Sequence, residues 1–85
     1  MVSLDEIKER FRNFLNKVSK KKGKRLDKEG LLNFSIQAQI LMRLIEGKGF
    51  VSEVKALDKI RKKVVSSGII EEEDVRELNG ILNII

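Results

Sequence analysis

Lysine and arginine are the residues of this chain whose type and spacing could do chemistry. A dense run of them precedes Asp27, and it consists of Lys17, Lys20, Lys21, Lys22, Lys24 and Arg25. On a helical wheel, Arg10, Lys17, Lys21 and Lys24 share one flank. A basic stretch of this density predicts contact with the phosphates of nucleic acid. The alternative is that these lysines form only a solvated helix face and complement the helix dipole.

A second basic surface is predicted from Lys55, Lys59 and Lys62, which recur at steps of four and three. On a helix this spacing makes a ridge that could follow a phosphate backbone, although exposed helix faces are often rich in lysine. Lysine binds as a point charge, and the four aromatic residues are all Phe. We therefore expect backbone contact without sequence readout, and the residues do not distinguish DNA from RNA.

Other chemistries have few candidate residues. The chain contains no His and no Cys, so it lacks an imidazole base, a thiolate nucleophile and the usual zinc ligands. Its one acidic cluster, residues 71–74 with Glu77, is better explained by the favourable interaction of carboxylates with a helix N-terminus than by a metal site. We expect no enzymatic activity, no cofactor and no metal.

Four helices must position these side chains. Ser3 and Glu6 can form a capping box, and apolar residues follow at steps of three and four, which predicts a helix over 3–22. The same patterning predicts helices over 27–46, capped by Asp27, and over 52–66, capped by Ser52. A fourth helix is predicted over 71–84. Glycines separate most of these segments.

The predicted fold is a small all-α bundle of about four helices, mostly antiparallel, with residues 1–85 in a single domain. The second helix is apolar over a wide arc, with Ile36 included, so we expect it to be central and buried. Net charge is uneven: residues 1–28 contain ten basic and four acidic residues, and residues 67–85 contain one and five. The domain is therefore basic, with an acidic last helix.

Aliphatic residues near the end of the chain are candidates for protein contact. These are Ile69, Ile70, Ile84 and Ile85, which could leave an exposed patch for a larger partner or a second copy, or could instead close the bundle. A helix-turn-helix made of the second and third helices is a further alternative, with Ser52, Lys55 and Lys59 near a DNA groove.

In size, basicity, helical patterning and its Lys, Glu and Ile bias, the chain resembles the small helical subunits of crenarchaeal DNA-processing complexes. One example is the small binding subunits of the crenarchaeal family B DNA polymerase holoenzyme. The resemblance implies a partner polymerase, an apolar docking face and basic residues that help to hold the enzyme on DNA. No motif carries it, so no functional residue is transferred.

The predicted function is that of a basic accessory protein in a replication or related nucleic-acid complex. The alternatives are an interaction or dimerisation module without nucleic-acid contact and a helix-turn-helix regulator. No secretory leader or membrane-spanning apolar run is visible, so we expect a cytoplasmic location and no membrane contact.

Overall fold

The computed structural model describes residues 3–19 and 25–85, and this part of the chain contains four α-helices. They are α1 (Leu4–Ser19), α2 (Lys28–Glu46), α3 (Val51–Ser67) and α4 (Glu72–Ile84). Each helix contacts the next along the chain, and α1 also contacts α4, so the four helices close a ring around the core. The predicted all-α bundle is confirmed.

Two predicted helix caps are present. The Glu6 backbone N–H donates to Ser3 Oγ at 3.2 Å, so Ser3 caps α1. The Gly30 N–H donates to Asp27 Oδ1 at 2.7 Å, so Asp27 caps α2. Each cap satisfies one of the backbone donors that a helix N-terminus leaves without a partner inside the helix.

The predicted cap of α3 is wrong. Ser52 lies inside the helix, and the N-cap is Phe50, which makes no side-chain capping bond. Gly49 has a positive φ of 89° that turns the chain, and the partly buried Phe50 packs against the core. Apolar burial after a tight glycine turn therefore fixes the start of α3, and a serine hydroxyl is not needed.

The core confirms most of the predicted apolar stripes. Its fully buried large side chains are Ile7, Phe11, Leu15, Phe34, Leu41, Ile45, Leu57, Val64, Ile70, Leu78 and Leu82. The prediction for Ile36 is wrong, because its side chain is 46% exposed. The buried positions of α2 follow one narrow stripe, and Ile36 lies outside it. The second helix is thus less enclosed than its composition predicts.

The segment before α2 and the loop between α3 and α4 meet beside the core. The Leu26 N–H donates to the Gly68 carbonyl at 2.8 Å, and Arg25 forms an isolated antiparallel bridge with Ile69. Ile70 follows directly and is completely buried. The segment before α2 is therefore held against the α3–α4 loop.

This arrangement corrects part of the predicted protein-contact patch. Ile70 belongs to the core and cannot reach a partner, while Ile85 is partly buried against the same core. Ile69 and Ile84 remain accessible, with exposed fractions of 39% and 63%. Half of the predicted patch closes the bundle, because the loop after Gly68 turns Ile70 inward.

A buried carboxylate joins α3 to α4. Asp74 is only 4% exposed, and its carboxylate accepts a backbone bond from Glu71 at 3.1 Å and bonds from Lys63 Nζ at 3.1 and 3.3 Å. Lys63 Nζ also lies 3.7 Å from Glu71 Oε2. The hydrogen bond from Lys63 to Asp74, with the nearby carboxylates, raises the pKa of Lys63 above its ordinary value of 10.5.

Replacing Gly68 and Gly80 by Ala is expected to change stability in opposite directions. Gly68 ends α3 with a left-handed φ of 75°, which costs an L-residue about 1 kcal/mol, so Gly68→Ala should lower the free energy of unfolding. Gly80 lies inside α4 with open space around it, so Gly80→Ala should raise that free energy by about 0.5–1 kcal/mol. Urea denaturation measures both, and a stabilised Gly68→Ala variant would contradict the left-handed turn.

Removing the Asp74 carboxylate is expected to destabilise the fold. Asp74→Ala loses both the bond to Glu71 and the bonds from Lys63, and the free energy of unfolding should fall by about 1–3 kcal/mol. Asp58→Ala is the matched control, because Asp58 is a half-buried partner of cations on α3 alone. An equal loss in the two variants would show that Asp74 does not anchor α4.

The Lys63 contribution also predicts a pH dependence. Because the pKa of Lys63 is higher in the folded state than its ordinary value of 10.5, its stabilising effect is complete below pH 10.5. The effect should disappear as the pH rises through the raised value. The difference in unfolding free energy between the wild type and Lys63→Met should therefore be constant near neutral pH and shrink in strong alkali. A difference that grows with pH would contradict this sign.

Candidate nucleic-acid interface

The predicted basic run lies only partly within the described residues. Lys17 is exposed near the end of α1, and Arg25 is exposed just before α2. The other predicted members, residues 20–22 and Lys24, lie outside the described residues. Arg10, which the helical wheel places on the same flank as Lys17, is also an exposed residue of α1.

A groove runs between α1 and α2. Arg10, Asn13, Phe14 and Lys17 line it from α1, and Asn33 and Gln37 line it from α2. The α1 residues recur at steps of three, one and three, and the α2 residues are four apart, so each set occupies one helix face. The groove has a volume of about 350 Å³ and is open to solvent.

The groove is cationic, because two basic residues line it and no described carboxylate offsets their charge. Arg10 and Lys17 contribute two positive charges, and within the described residues neither forms an ion pair. Two other grooves contain acids. The one between α3 and α4 includes Glu73, Asp74 and Glu77. The other lies along α1, shares Asn13 with the α1–α2 groove and includes Asp5 and Glu9. The α1–α2 groove is thus better suited to an anion than these two.

Aromatic packing fixes the wall of this groove. The rings of Phe14 and Phe34 stack with centroids 5.7 Å apart, and Phe11 meets Phe34 edge-on at 5.8 Å. Phe11 and Phe34 are fully buried, whereas Phe14 is partly buried and also lines the groove. The same aromatic side chain thus joins the core to the candidate site.

Gln37, one of the residues that line the groove, carries an unsatisfied acceptor. Gln37 Oε1 is buried and has no hydrogen-bond partner among the described residues. An unpaired buried acceptor costs about 1–3 kcal/mol, and most native groups of this kind find a partner. Asn13 and Asn33 add further amide donors and acceptors to the lining. The site can therefore offer hydrogen bonds of both senses together with positive charge.

The ridge on α3 differs from the groove in its neighbours. Lys55, Lys59 and Lys62 are exposed as predicted. Lys62 Nζ lies 3.1 Å from Asp58, which also pairs with Arg61 at 2.9 Å. The side-chain hydrogen bonds from Arg61 and then Lys62 lower the pKa of Asp58 below its ordinary value. This carboxylate offsets part of the positive charge, so the ridge is a weaker candidate.

Sequence reasoning located the cations of the groove and missed its amides. Arg10 and Lys17 were placed together by the helical wheel, but Asn13, Asn33 and Gln37 carry no charge and match no motif. The four-residue spacing of Asn33 and Gln37 was a usable signal. Its meaning depends on which face of α2 meets α1, and that is a tertiary property.

Two further features concern ligands and membranes. Within residues 3–19 and 25–85, no group of three or more acidic, His or Cys side chains is arranged to hold a metal ion. None of the helices in these ranges combines the length and apolarity of a membrane span.

No protein-family model matches the chain, and comparisons with curated proteins and solved structures found no significant match. The case for a function therefore depends on the chain's own residues and their geometry.

Proposed function

We propose that the protein is a non-enzymatic accessory protein that binds the phosphate backbone of nucleic acid in a replication or related complex. The observation that carries the proposal is the acid-free groove with Arg10 and Lys17. In the sequence, the basic run continues from Lys17 to Arg25 and adds further positive charge next to the end of α1 in the chain. The resemblance to small crenarchaeal polymerase subunits supports the same role.

The distribution of carboxylates supports this assignment. Acids of α4 approach the cation Lys63 of α3, and Asp58 pairs with Arg61 and Lys62. The described cations of the α1–α2 side lack such partners. A Lys or Arg that neutralises a phosphate releases counterions, and Arg10 and Lys17 can do so without giving up a carboxylate partner, which supports this side as the one that would face a nucleic acid.

A partner protein would bind a different part of the surface. The exposed large apolar side chains are Leu32, Ile36, Val51, Val65, Ile69 and Ile84. Leu32 and Ile36 are one turn apart on α2, with exposed fractions of 62% and 46%. These side chains also support the second candidate, an interaction or dimerisation module without nucleic-acid contact. Both candidates use the same apolar residues, so nucleic-acid binding distinguishes them.

Salt-dependent binding tests the proposal. Fluorescence anisotropy with a labelled duplex should show an affinity that falls steeply as salt increases, by about 0.9 log units per log unit of salt for each phosphate contacted. The double variant Arg10→Gln/Lys17→Gln should reduce this slope by about 1.8, because two phosphate contacts are lost. Lys8→Gln is the matched control, since Lys8 lies on α1 in the groove that contains Asp5 and Glu9.

The basic run provides an independent variant. Changing Lys20, Lys21 and Lys22 to Ala should weaken binding further and leave the circular dichroism spectrum and the melting temperature unchanged. Lys55→Gln/Lys59→Gln should have a smaller effect than Arg10→Gln/Lys17→Gln. Absence of binding to duplex and single strand at low salt would contradict the proposal and favour the interaction module.

A further inference from the structure

We infer that the α1–α2 groove binds one unpaired base of a single-stranded nucleic acid, so the protein prefers single strands to duplexes. This inference rests on the proposed function and names its substrate class. It starts from the lining of the groove, in which amides and an aromatic ring lie between two cations. Phosphate binding alone would need only the cations.

Along α1, an amide and an aromatic side chain lie between the two cations, in an order that matches the base and phosphates of a nucleotide. Arg10 and Lys17 are seven residues apart, which is about 10 Å along a helix axis, and Asn13 and Phe14 lie between them. A nucleotide in the groove would have its base beside the central residues. The phosphates on its two sides would then lie near the two cations.

The amides supply the chemistry that a base requires. Asn and Gln side chains have one carbonyl acceptor and an NH₂ group with two donors, which complement the donor and acceptor pattern of base edges. The Watson–Crick edge is free only in an unpaired base, and single-stranded sites are where proteins reach it. The partly buried ring of Phe14 adds an apolar wall that any base can contact.

Gln37 discriminates between a base and a simpler anion. Its Oε1 atom is a buried acceptor without a partner among the described residues, and a change of the side-chain rotamer is needed to present it to the groove. A backbone phosphodiester or a carboxylate group offers only acceptors at neutral pH, so neither of these groups would satisfy this oxygen. The N–H groups of a base are donors and would satisfy it.

The experiment compares one labelled oligonucleotide as a single strand and as a duplex, by anisotropy at low salt. The wild type should bind the single strand more tightly. Gln37→Leu should weaken single-strand binding about three- to tenfold, the value of one hydrogen bond, and leave duplex binding unchanged. Gln39→Leu is the matched control, because Gln39 is exposed on the same helix and does not line the groove.

A second variant guards against loss of folding in Gln37→Leu. Asn33 is exposed, so Asn33→Ala should keep the fold and weaken single-strand binding. Asn79→Ala on α4 should keep the fold and leave single-strand binding unchanged. Equal wild-type affinity for the two substrates, or equal loss on both in Gln37→Leu, overturns the inference and leaves the proposed function intact. Absence of binding to either substrate overturns both. A carboxylate-rich peptide that competes as strongly as the single strand also overturns the base site.

Discussion

The packing of three phenylalanine rings is the interaction on which the candidate site depends. Phe11 on α1 meets Phe34 on α2 with ring centroids 5.8 Å apart, and both rings are fully buried. Burying side chains of this size contributes several kcal/mol in total to a small domain. This contact fixes how closely α1 approaches α2. The groove beside it is therefore a consequence of core packing, with Phe14 shared between the two.

Charged side chains connect α4 to both of its neighbours, α3 and α1. Asp74 lies almost completely buried between α3 and α4, where it accepts bonds from the Glu71 backbone and from Lys63. Across the ring, Arg12 Nη2 donates to the Leu82 carbonyl and to Asn83 Oδ1, which connects α1 to the end of α4. Charged side chains on α1, α3 and α4 thus connect neighbouring helices, and the described cations of the α1–α2 groove form no ion pair with another described residue.

The local rules of helix formation predicted much of the fold. Ser3, Asp27 and Gly68 each stand where cap and stop signals place them, because these signals depend on the backbone within one helical turn. The errors concern tertiary packing. Ser52 does not cap α3, since burial of Phe50 determines where that helix begins, and Ile70 enters the core because two distant loops pair.

The candidate site shows the same division between local and tertiary information. Two surfaces rich in Lys and Arg, one on α1 and one on α3, have similar spacing in the sequence. In the structure, Lys62 approaches Asp58, and Lys59 lines a groove with Glu73 and Glu77. The groove that Arg10 and Lys17 line is otherwise lined by amides and an aromatic ring. The density of positive charge in a sequence therefore identifies candidate surfaces, and the neighbouring helix determines which of them keeps its charge for a ligand.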